Sequence, residues 1–288
     1  MIDKDIMTLS GKRVLVTGGS IGIGRDVCRQ LAERGAHVIV AARGAAAIRE
    51  AVAELPGQHH SGLVLDVSDA EAWTEAISSI QRGGELHGLV TAAGVLGPIG
   101  ALDELPPSDL VATIAVNLVG TMLALRFTLP LLRAVGGRAV TFSGGGGTSP
   151  LPRYDAYAAS KAGVVRLSEN LAASAEIEIN SVAPGFVITR MHEETLRAGP
   201  EAAGEGYYAR TQAQVAGGGF PAREAAELVC FLLSSEAEGI SGRLLSAQWD
   251  PWREHEFRQR LREDPALARL RRVDGMQFGA LEQPEAER

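Results

Sequence analysis

The chain has 288 residues, of which 45% are hydrophobic, and a formal net charge of −7. This length allows one large α/β domain with a sizeable core. The acidic balance lacks the basic excess that binding to nucleic acid or to an anionic membrane requires, so we expect neither partner. The two cysteines, Cys28 and Cys230, are far apart and fit no metal-ligand pattern. We therefore predict a reduced, cytoplasmic protein without a metal site.

The hydrophobic profile does not predict a membrane segment. Residues 1–10 mix acidic with apolar side chains and lack the apolar core of a signal peptide. The longest apolar stretch, around residues 118–132, carries Arg126 and Pro130. We expect this stretch to be too short and too interrupted to span a bilayer.

Short β-branched segments alternate with Ala-rich helical patterns along the chain. Strands are predicted at residues 14–16, 38–40, 63–65, 89–91, 139–142, 177–182 and 244–247. Helices are predicted at residues 22–34, 45–55, 70–81, 107–132, 157–174 and 221–233. This alternation predicts a parallel sheet covered by helices on both faces. Right-handed crossovers then favour a doubly wound, Rossmann-like sheet.

The first strand leads into a glycine cluster, Thr17-Gly18-Gly19-Ser20-Ile21-Gly22-Ile23-Gly24, and then a helix. A helix that begins this way presents free main-chain N–H groups and the positive end of its dipole, which suits a pyrophosphate. The glycines let the phosphates approach because no Cβ intervenes. The alternative is an ordinary tight turn. The position of the cluster in the first βαβ unit favours a dinucleotide site.

Two positions further along bear on the same cofactor. The second strand ends at Arg43 and carries no carboxylate for the ribose hydroxyl of NAD. Arg43 could pair with the 2′-phosphate of NADP, so NADP is favoured over NAD, unless Arg43 is a solvated surface residue. Asp66 and Val67 follow the third strand and are placed to meet the adenine. Alternatively Asp66 caps the next helix, a role open also to Ser68 and Asp69.

Tyr157 and Lys161 lie four residues apart in a strongly helical segment, so both side chains share one helix face. A phenol is a sluggish acid at neutral pH, and a neighbouring ammonium lowers its pKa. Together with a cationic nicotinamide ring, Lys161 would let Tyr157 exchange a proton with a carbonyl or alcohol oxygen. The alternative is an ordinary helix with an exposed lysine and a half-buried tyrosine.

Two segments lie outside the strand–helix alternation. Residues 190–220 are polar and contain Gly204, Gly206 and 217–219, which predicts a mobile insertion that covers the substrate (the lid). Its polar side chains favour a hydroxylated or charged substrate, unless they face solvent. They are His192, Glu193, Glu194, Arg197, Tyr207, Tyr208, Arg210 and Gln212. Residues 251–288 follow the catalytic region (1–250) and predict a helical extension packed by Trp252, Phe257 and Leu261.

The order of motifs over roughly residues 8–247 resembles the short-chain dehydrogenase/reductase family. The marks are the glycine turn, Asp66-Val67, Ala93-Gly94, Asn117, Tyr157-x-x-x-Lys161 and Asn180-Ser181-Val182-Ala183-Pro184-Gly185-Phe186-Val187-x-Thr189. The resemblance implies a single domain with a seven-stranded sheet, hydride transfer with NAD(P), and a homodimer or homotetramer.

The resemblance also implies roles for single residues. Gly18, Ser20, Ile21, Gly22, Gly24, Ala93 and Gly94 would contact the cofactor, and Pro184, Gly185, Val187 and Thr189 would fix its carboxamide. Lys161 would contact the nicotinamide ribose and tune Tyr157. Asn117 would hold a water that relays protons to Lys161. Without the resemblance, Asn117 is a buried polar residue at a helix kink.

One departure from the family pattern concerns the catalytic serine. The family places this serine thirteen residues before the tyrosine, and that position is Gly144 in this chain. Ser143 is the expected substitute, with Thr148 and Ser149 as alternatives. The departure keeps open an epimerase or dehydratase with a tightly bound nicotinamide. A non-catalytic nucleotide-binding protein is the third hypothesis.

Overall fold

Seven parallel strands form one sheet in the computed structural model, which describes residues 8–272. The strands are β1 (Arg13–Thr17), β2 (His37–Ala42), β3 (Ser61–Val64), β4 (Gly88–Thr91), β5 (Arg138–Phe142), β6 (Glu178–Ala183) and β7 (Leu244–Ser246). Their order across the sheet is β3-β2-β1-β4-β5-β6-β7. The predicted doubly wound, seven-stranded fold is confirmed. The order reverses between β1 and β4, where a crevice opens at the carboxyl ends of the strands.

Helices cover both faces of this sheet. They are α1 (Gly22–Glu33), α2 (Ala45–Ala53), α3 (Ala70–Arg82), α4 (Pro107–Ile114), α5 (Gly120–Ala134), α6 (Asp155–Ala172), α7 (Arg190–Ala203), α8 (Glu205–Ala216), α9 (Ala222–Leu233) and α10 (His255–Glu263). One hydrophobic core joins the sheet to α1, α2 and α9, and a second core joins it to α3, α5 and α6. The inner strands β1, β2, β4, β5 and β6 are mostly buried because both faces of the sheet are covered, as expected for parallel strands, whereas the edge strand β3 is mostly exposed.

The apolar stretch in the middle of the chain is longer than we expected. α4, a π-helical turn (Ala115–Val119) and α5 form one continuous helix, Pro107–Ala134, which by length and composition alone could cross a membrane. The prediction that this stretch is too short is therefore wrong. Its apolar character has another source, since α5 packs against β4, β5 and α3. A helix that borders a core in this way can be as long and as apolar as a helix that spans a membrane.

The lid, which the sequence predicts to be a mobile insertion, consists mainly of two helices. They are α7 and α8, which pack against each other. Two glycines with positive φ interrupt the helical run, Gly199 (φ 81°) and Gly204 (φ 80°). Glycine adopts this conformation without the steric penalty that a side chain would impose.

The extension after β7 is packed onto the domain as far as residue 272. Trp252 and Leu261 are buried in the first core, and Phe257 packs against it. The Ala268 carbonyl accepts the Leu244 N–H at 2.8 Å, so the chain covers the outer edge of β7. Trp249, in contrast, is 78% exposed. The predicted extension beyond residue 272 lies outside the described residues.

Candidate active site

The glycine turn after β1 is a close contact between main-chain segments. Gly18 has φ 69°, and a Cβ on it would lie 2.6 Å from the Ala93 main chain. A Cβ on Gly24 would lie 2.2 Å from the Gly18 carbonyl oxygen. α1 begins after Ile21 without a side-chain cap from the described residues. The turn therefore leaves main-chain N–H groups open to an anion, as a dinucleotide site requires.

The two residues assigned to the adenosine end lie on the surface near each other. Arg43 is exposed and forms no ion pair within residues 8–272, although its charge acts on Asp66. Asp66 accepts the Ser68 hydroxyl at 2.6 Å, and this hydrogen bond lowers the pKa of Asp66. The helix cap is Asp69, whose carboxylate accepts from the N–H groups of residues 71 and 72. The cap alternative for Asp66 and Ser68 is therefore wrong.

Val67 is turned towards the core. It is 7% exposed, and a Cβ on Gly120 would lie 2.7 Å from its side chain. Its carbonyl accepts the Trp73 indole N–H at 3.0 Å. Any contact of Val67 with an adenine would therefore use its main-chain N–H.

Lys161, Asn117 and Gly94 lie close together beside the loop that follows β4. A Cβ on Gly94 would lie 3.3 Å from Asn117 Oδ1 and 3.7 Å from Lys161 Nζ. Asn117 sits in the π-helical turn and is 1% exposed. Its amide donates to the Val95 carbonyl at 2.9 Å and to Ser160 Oγ at 3.0 Å, and its oxygen accepts the Val95 N–H at 2.9 Å. The side chain thus joins the β4 loop to α6.

Tyr157 and Lys161 share one face of α6, as their spacing predicts. Lys161 Nζ lies 5.6 Å from the centre of the Tyr157 ring and donates to the Phe142 carbonyl at 3.0 Å. Burial lowers the pKa of Lys161 to about 8. Burial also raises the pKa of Tyr157 above its ordinary value. The sequence predicts a lowered pKa for Tyr157. Burial of the phenol instead raises this pKa, because the Lys161 ammonium is directed to the Phe142 carbonyl.

The serine substitute is not placed against Tyr157. Ser143 is 3% exposed, and its hydroxyl donates to the Lys161 carbonyl at 3.3 Å. The position that faces the tyrosine is Gly144, where a Cβ would lie 3.2 Å from the Tyr157 hydroxyl. Thr148 and Ser149 are exposed and line a groove whose lining residues do not include Tyr157. The predicted role of Ser143 therefore has no support in this geometry.

The segment after β6 leads into the lid and also approaches the glycine turn after β1. Gly185 has φ 80°, and a Cβ there would lie 2.9 Å from the Phe220 ring. Pro184 is half-buried, and Val187 is 5% exposed. A Cβ on Gly22 would lie 3.8 Å from the Thr189 methyl group. This closeness fits the carboxamide role that the resemblance implies for residues 184–189.

The lid presents apolar and aromatic side chains to Tyr157 and polar ones to solvent. Leu96, Tyr154 and Ala203 are buried in a third cluster, against which Tyr157, Ile99, Leu151, Met191, Tyr207 and Tyr208 pack. Glu193, Arg197, Arg210 and Gln212 are exposed, and Glu194 pairs with Arg190 at 3.1 Å. The polar composition therefore belongs mainly to the outer face, which removes the basis for predicting a hydroxylated substrate. Sequence reasoning missed this apolar cluster.

The remaining polar lid residue near the site, His192, has a structural partner. Its Nδ1 accepts the Thr189 N–H at 3.3 Å, and its ring centre lies 4.0 Å from that of Phe186. Burial lowers the pKa of His192. Within residues 8–272, no cluster of three or more His, Cys, Asp or Glu side chains could hold a metal ion.

Comparisons with known proteins agree with this geometry. The family model described as short chain dehydrogenase matches residues 12–199. Levodione reductase from Leifsonia aquatica is 33% identical over 79% of this chain and 89% of its own length. The 3-oxoacyl-acyl-carrier-protein reductase FabG of Escherichia coli (strain K12) is 34% identical over 83% of this chain and 96% of its own.

A solved structure of a related enzyme gives the same result. A single-residue variant of actinorhodin polyketide ketoreductase, solved with NADPH, superposes with a TM-score of 0.73 at 28% identity, covering 85% of this chain and 97% of the ketoreductase. The chain therefore belongs to the short-chain dehydrogenase/reductase family and is an NAD(P)-dependent oxidoreductase that acts on a carbonyl or alcohol group.

Proposed function

We propose that the protein is an NADP(H)-dependent reductase of an apolar, ring-containing ketone, with Tyr157 as the proton donor. The observation that carries this proposal is the position of Tyr157, which packs against an apolar and aromatic cluster on one side and shares a helix face with Lys161. The names of two relatives, levodione reductase and polyketide ketoreductase, are in keeping with the reduction of a ketone.

The cofactor is proposed to lie along the crevice between β1 and β4. Gly18, Ser20, Ile21, Gly22 and Gly24 would hold its pyrophosphate, because α1 begins there without a side-chain cap and leaves main-chain N–H groups open. Bound there, reduced nicotinamide supplies the hydride for the carbonyl carbon. Asp66 and Val67 would meet the adenine, and Ala93 and Gly94 the nicotinamide ribose. Pro184, Gly185, Val187 and Thr189 would hold the carboxamide.

The side chains of α6 would supply the proton. With its pKa raised by burial, Tyr157 is protonated at neutral pH and can donate to the oxygen of a ketone. The Lys161 ammonium would stabilise the phenolate that forms and help return a proton to it. Asn117 fixes the loop after β4 through its side-chain amide, and Asn117 would hold the relay water for Lys161. This arrangement favours reduction over oxidation near neutral pH.

The substrate class is tested by steady-state NADPH oxidation with two sets of compounds. One set contains substituted cyclohexanones and the other contains ketoses of similar size. We expect kcat/KM for the cyclohexanones to exceed that for the ketoses by at least about tenfold, since each buried CH₂ contributes about 0.8 kcal/mol. Equal or reversed preference would contradict the substrate proposal.

The same assay separates the alternatives left open by Gly144. Nicotinamide that remains with the protein through dialysis, with isomerised or dehydrated product and no net NADPH oxidation, would indicate an epimerase or dehydratase. Cofactor binding without turnover of any carbonyl compound would indicate a nucleotide-binding protein without catalysis.

We also propose a cytoplasmic homodimer or homotetramer formed through the outer face of α4 and α6. An apolar groove of about 470 Å³ runs between these helices and is lined by residues such as Leu110 and Ile114. Beside it Val111 is 68% exposed and Leu102 55% exposed. Sedimentation of the Val111→Glu variant as a smaller species than wild type would support this interface, and an unchanged species would contradict it. A reduced compartment fits Cys28 and Cys230, which are both free and buried.

A further inference from the structure

The position that faces the Tyr157 hydroxyl provides no side-chain hydrogen-bond donor. A side chain at Gly144 would begin 3.2 Å from the Tyr157 hydroxyl, but glycine provides none. The Ser143 hydroxyl is directed to the Lys161 carbonyl. A ketone oxygen that becomes an alkoxide has lone pairs for more than one donor, and a second donor stabilises the charge that develops there. Another part of the chain can fill this role.

Three tyrosines pack near Tyr157, namely Tyr154 before α6 and Tyr207 and Tyr208 of the lid, and two of them have hydroxyl partners. Tyr154 is fully buried and donates to Thr195 Oγ1 at 3.2 Å. The Tyr208 hydroxyl accepts from Gln212 at 3.4 Å, and Gln212 is exposed. The Tyr207 hydroxyl makes no hydrogen bond with any residue in the described range 8–272.

Tyr207 is held in the site by its ring. Its ring centre lies 5.1 Å from that of Tyr154 in an edge-on arrangement, and it packs against the same cluster as Tyr157. On the solvent side, the Arg210 guanidinium lies 5.7 Å from its ring centre. A charge on Tyr207 would raise the pKa of Tyr157 further, so the two phenols are close enough to interact electrostatically. The ring is therefore fixed while its hydroxyl is available.

We propose that Tyr207 is a further catalytic residue, whose hydroxyl donates a hydrogen bond to the substrate carbonyl oxygen in the role that Gly144 leaves open. The inference rests on the proposed carbonyl reduction. Tyr157 transfers the proton, because Lys161 supports its phenolate, whereas Tyr207 keeps its proton. Burial raises the pKa of Tyr207, which keeps it a donor at neutral pH. Because Tyr207 belongs to α8, the donor set is complete only when the lid is packed against the site.

The first test compares Tyr207→Phe with Tyr208→Phe. Both changes remove one hydroxyl and keep the ring, and both residues pack on the same cluster. We expect Tyr207→Phe to lower kcat about 100-fold, the effect of losing one oxyanion donor. NADPH affinity and the unfolding temperature should stay at wild-type values, and Tyr208→Phe should stay within threefold of wild-type kcat. A loss within threefold for Tyr207→Phe, or equal losses in both variants, would overturn the proposal.

The second test restores a donor at the position that glycine occupies. Gly144 does not have positive φ, and Gly144→Ser would require the Tyr157 hydroxyl to move by a few tenths of an ångström. We expect Tyr207→Phe to lower kcat less than tenfold relative to Gly144→Ser alone, because the new hydroxyl takes over the donor role. The same 100-fold loss in both backgrounds would show that Tyr207 acts on packing, and would overturn the inference.

Failure of the proposed function itself gives a different result. If Tyr157→Phe retains turnover, or if wild type turns over no carbonyl compound, carbonyl reduction by Tyr157 is wrong. If Tyr157→Phe loses turnover and Tyr207→Phe does not, the reaction stands and only the assignment of Tyr207 is overturned.

Discussion

The glycine turn after β1 and the α7–α8 lid meet where Gly22 approaches Thr189, and the two regions are held together in different ways. In the turn, main chain touches main chain, as where Gly18 approaches Ala93. In the lid, side chains make the contacts, as where the ring of Tyr207 packs against the ring of Tyr154 before α6. A turn of this kind leaves no room for variation, whereas a packed cluster accepts other side chains of similar volume. We infer that the turn fixes where the cofactor binds and that the lid determines which substrate enters the site.

The largest expected effect on cofactor binding comes from adding one methyl group to the turn. Gly18→Ala places a Cβ 2.6 Å from the Ala93 main chain, so the two segments must move apart. Overpacking of this kind costs about 1–3 kcal/mol, and we expect NADPH affinity to fall by up to about 100-fold. Fluorescence titration with NADPH measures the effect.

Gly11→Ala is the matched control for that change. Gly11 has φ 72°, close to the 69° of Gly18, but a Cβ there has no neighbour within 4 Å among the described residues. Both variants carry the same backbone strain, so only Gly18→Ala should lose NADPH affinity. Equal losses in the two variants would mean that strain, and not the close contact, sets the cofactor site.

The pH dependence of reduction tests the α6 pair that lies between the two regions. Lys161 has a pKa of about 8, so its ammonium is present below that pH and lost above it. Tyr157 keeps its proton throughout, because burial raises its pKa. We expect kcat/KM for reduction to be level near pH 7 and to fall up to about tenfold per pH unit above pH 8. A profile that is level to pH 10 would contradict the role of Lys161.

Removal of Arg43 tests the choice between the two nicotinamide cofactors. A charge-assisted hydrogen bond contributes about 1.5–3 kcal/mol, so Arg43→Ala should weaken NADPH binding about tenfold or more and leave NADH binding unchanged. Arg49→Ala is a suitable control, since Arg49 is also exposed and lies on α2. NADH binding tighter than NADPH in wild type would contradict the preference for NADP.

The smallest expected effect concerns the outer face of the lid. Arg197 is exposed, so Arg197→Ala should change kcat/KM less than twofold. Met191, on the same helix, reaches the site, because a Cβ on Gly94 would lie 3.7 Å from its terminal methyl. We expect Met191→Ala to change KM about fivefold or more, as removal of buried methylene groups does. A larger effect from Arg197→Ala than from Met191→Ala would reverse the assignment of the two faces.

The part of the site that the sequence predicts is the part built on local patterns. The turn from Gly18 to Gly24 requires glycine at fixed positions, and Tyr157 and Lys161 lie one helical turn apart. The position of a missing donor, Gly144, was implied only by the resemblance to the family. The role of its neighbour Ser143 stays a prediction, and only the fold shows that this hydroxyl is directed to the Lys161 carbonyl.

The two helices of the lid could not be predicted from the sequence, because their buried faces contain polar residues. Thr195 and Thr211 are buried, and each hydroxyl donates to a carbonyl one turn earlier in its own helix. These hydrogen bonds allow threonine on a buried face, so the usual apolar stripe of a helix is missing. The spacing of Ala203, Tyr207 and Thr211 at four-residue intervals was the signal available. The glycines at 199 and 204 concealed it by dividing the run.

The central claim, that Tyr157 donates the proton in an NADPH-dependent carbonyl reduction, is tested most directly by Tyr157→Phe in single-turnover experiments. NADPH is bound first, a cyclohexanone is added, and loss of nicotinamide fluorescence follows hydride transfer. We expect unchanged NADPH affinity and hydride transfer slowed roughly 1,000-fold, within the range for loss of a general acid. Hydride transfer within tenfold of the wild-type rate would contradict it.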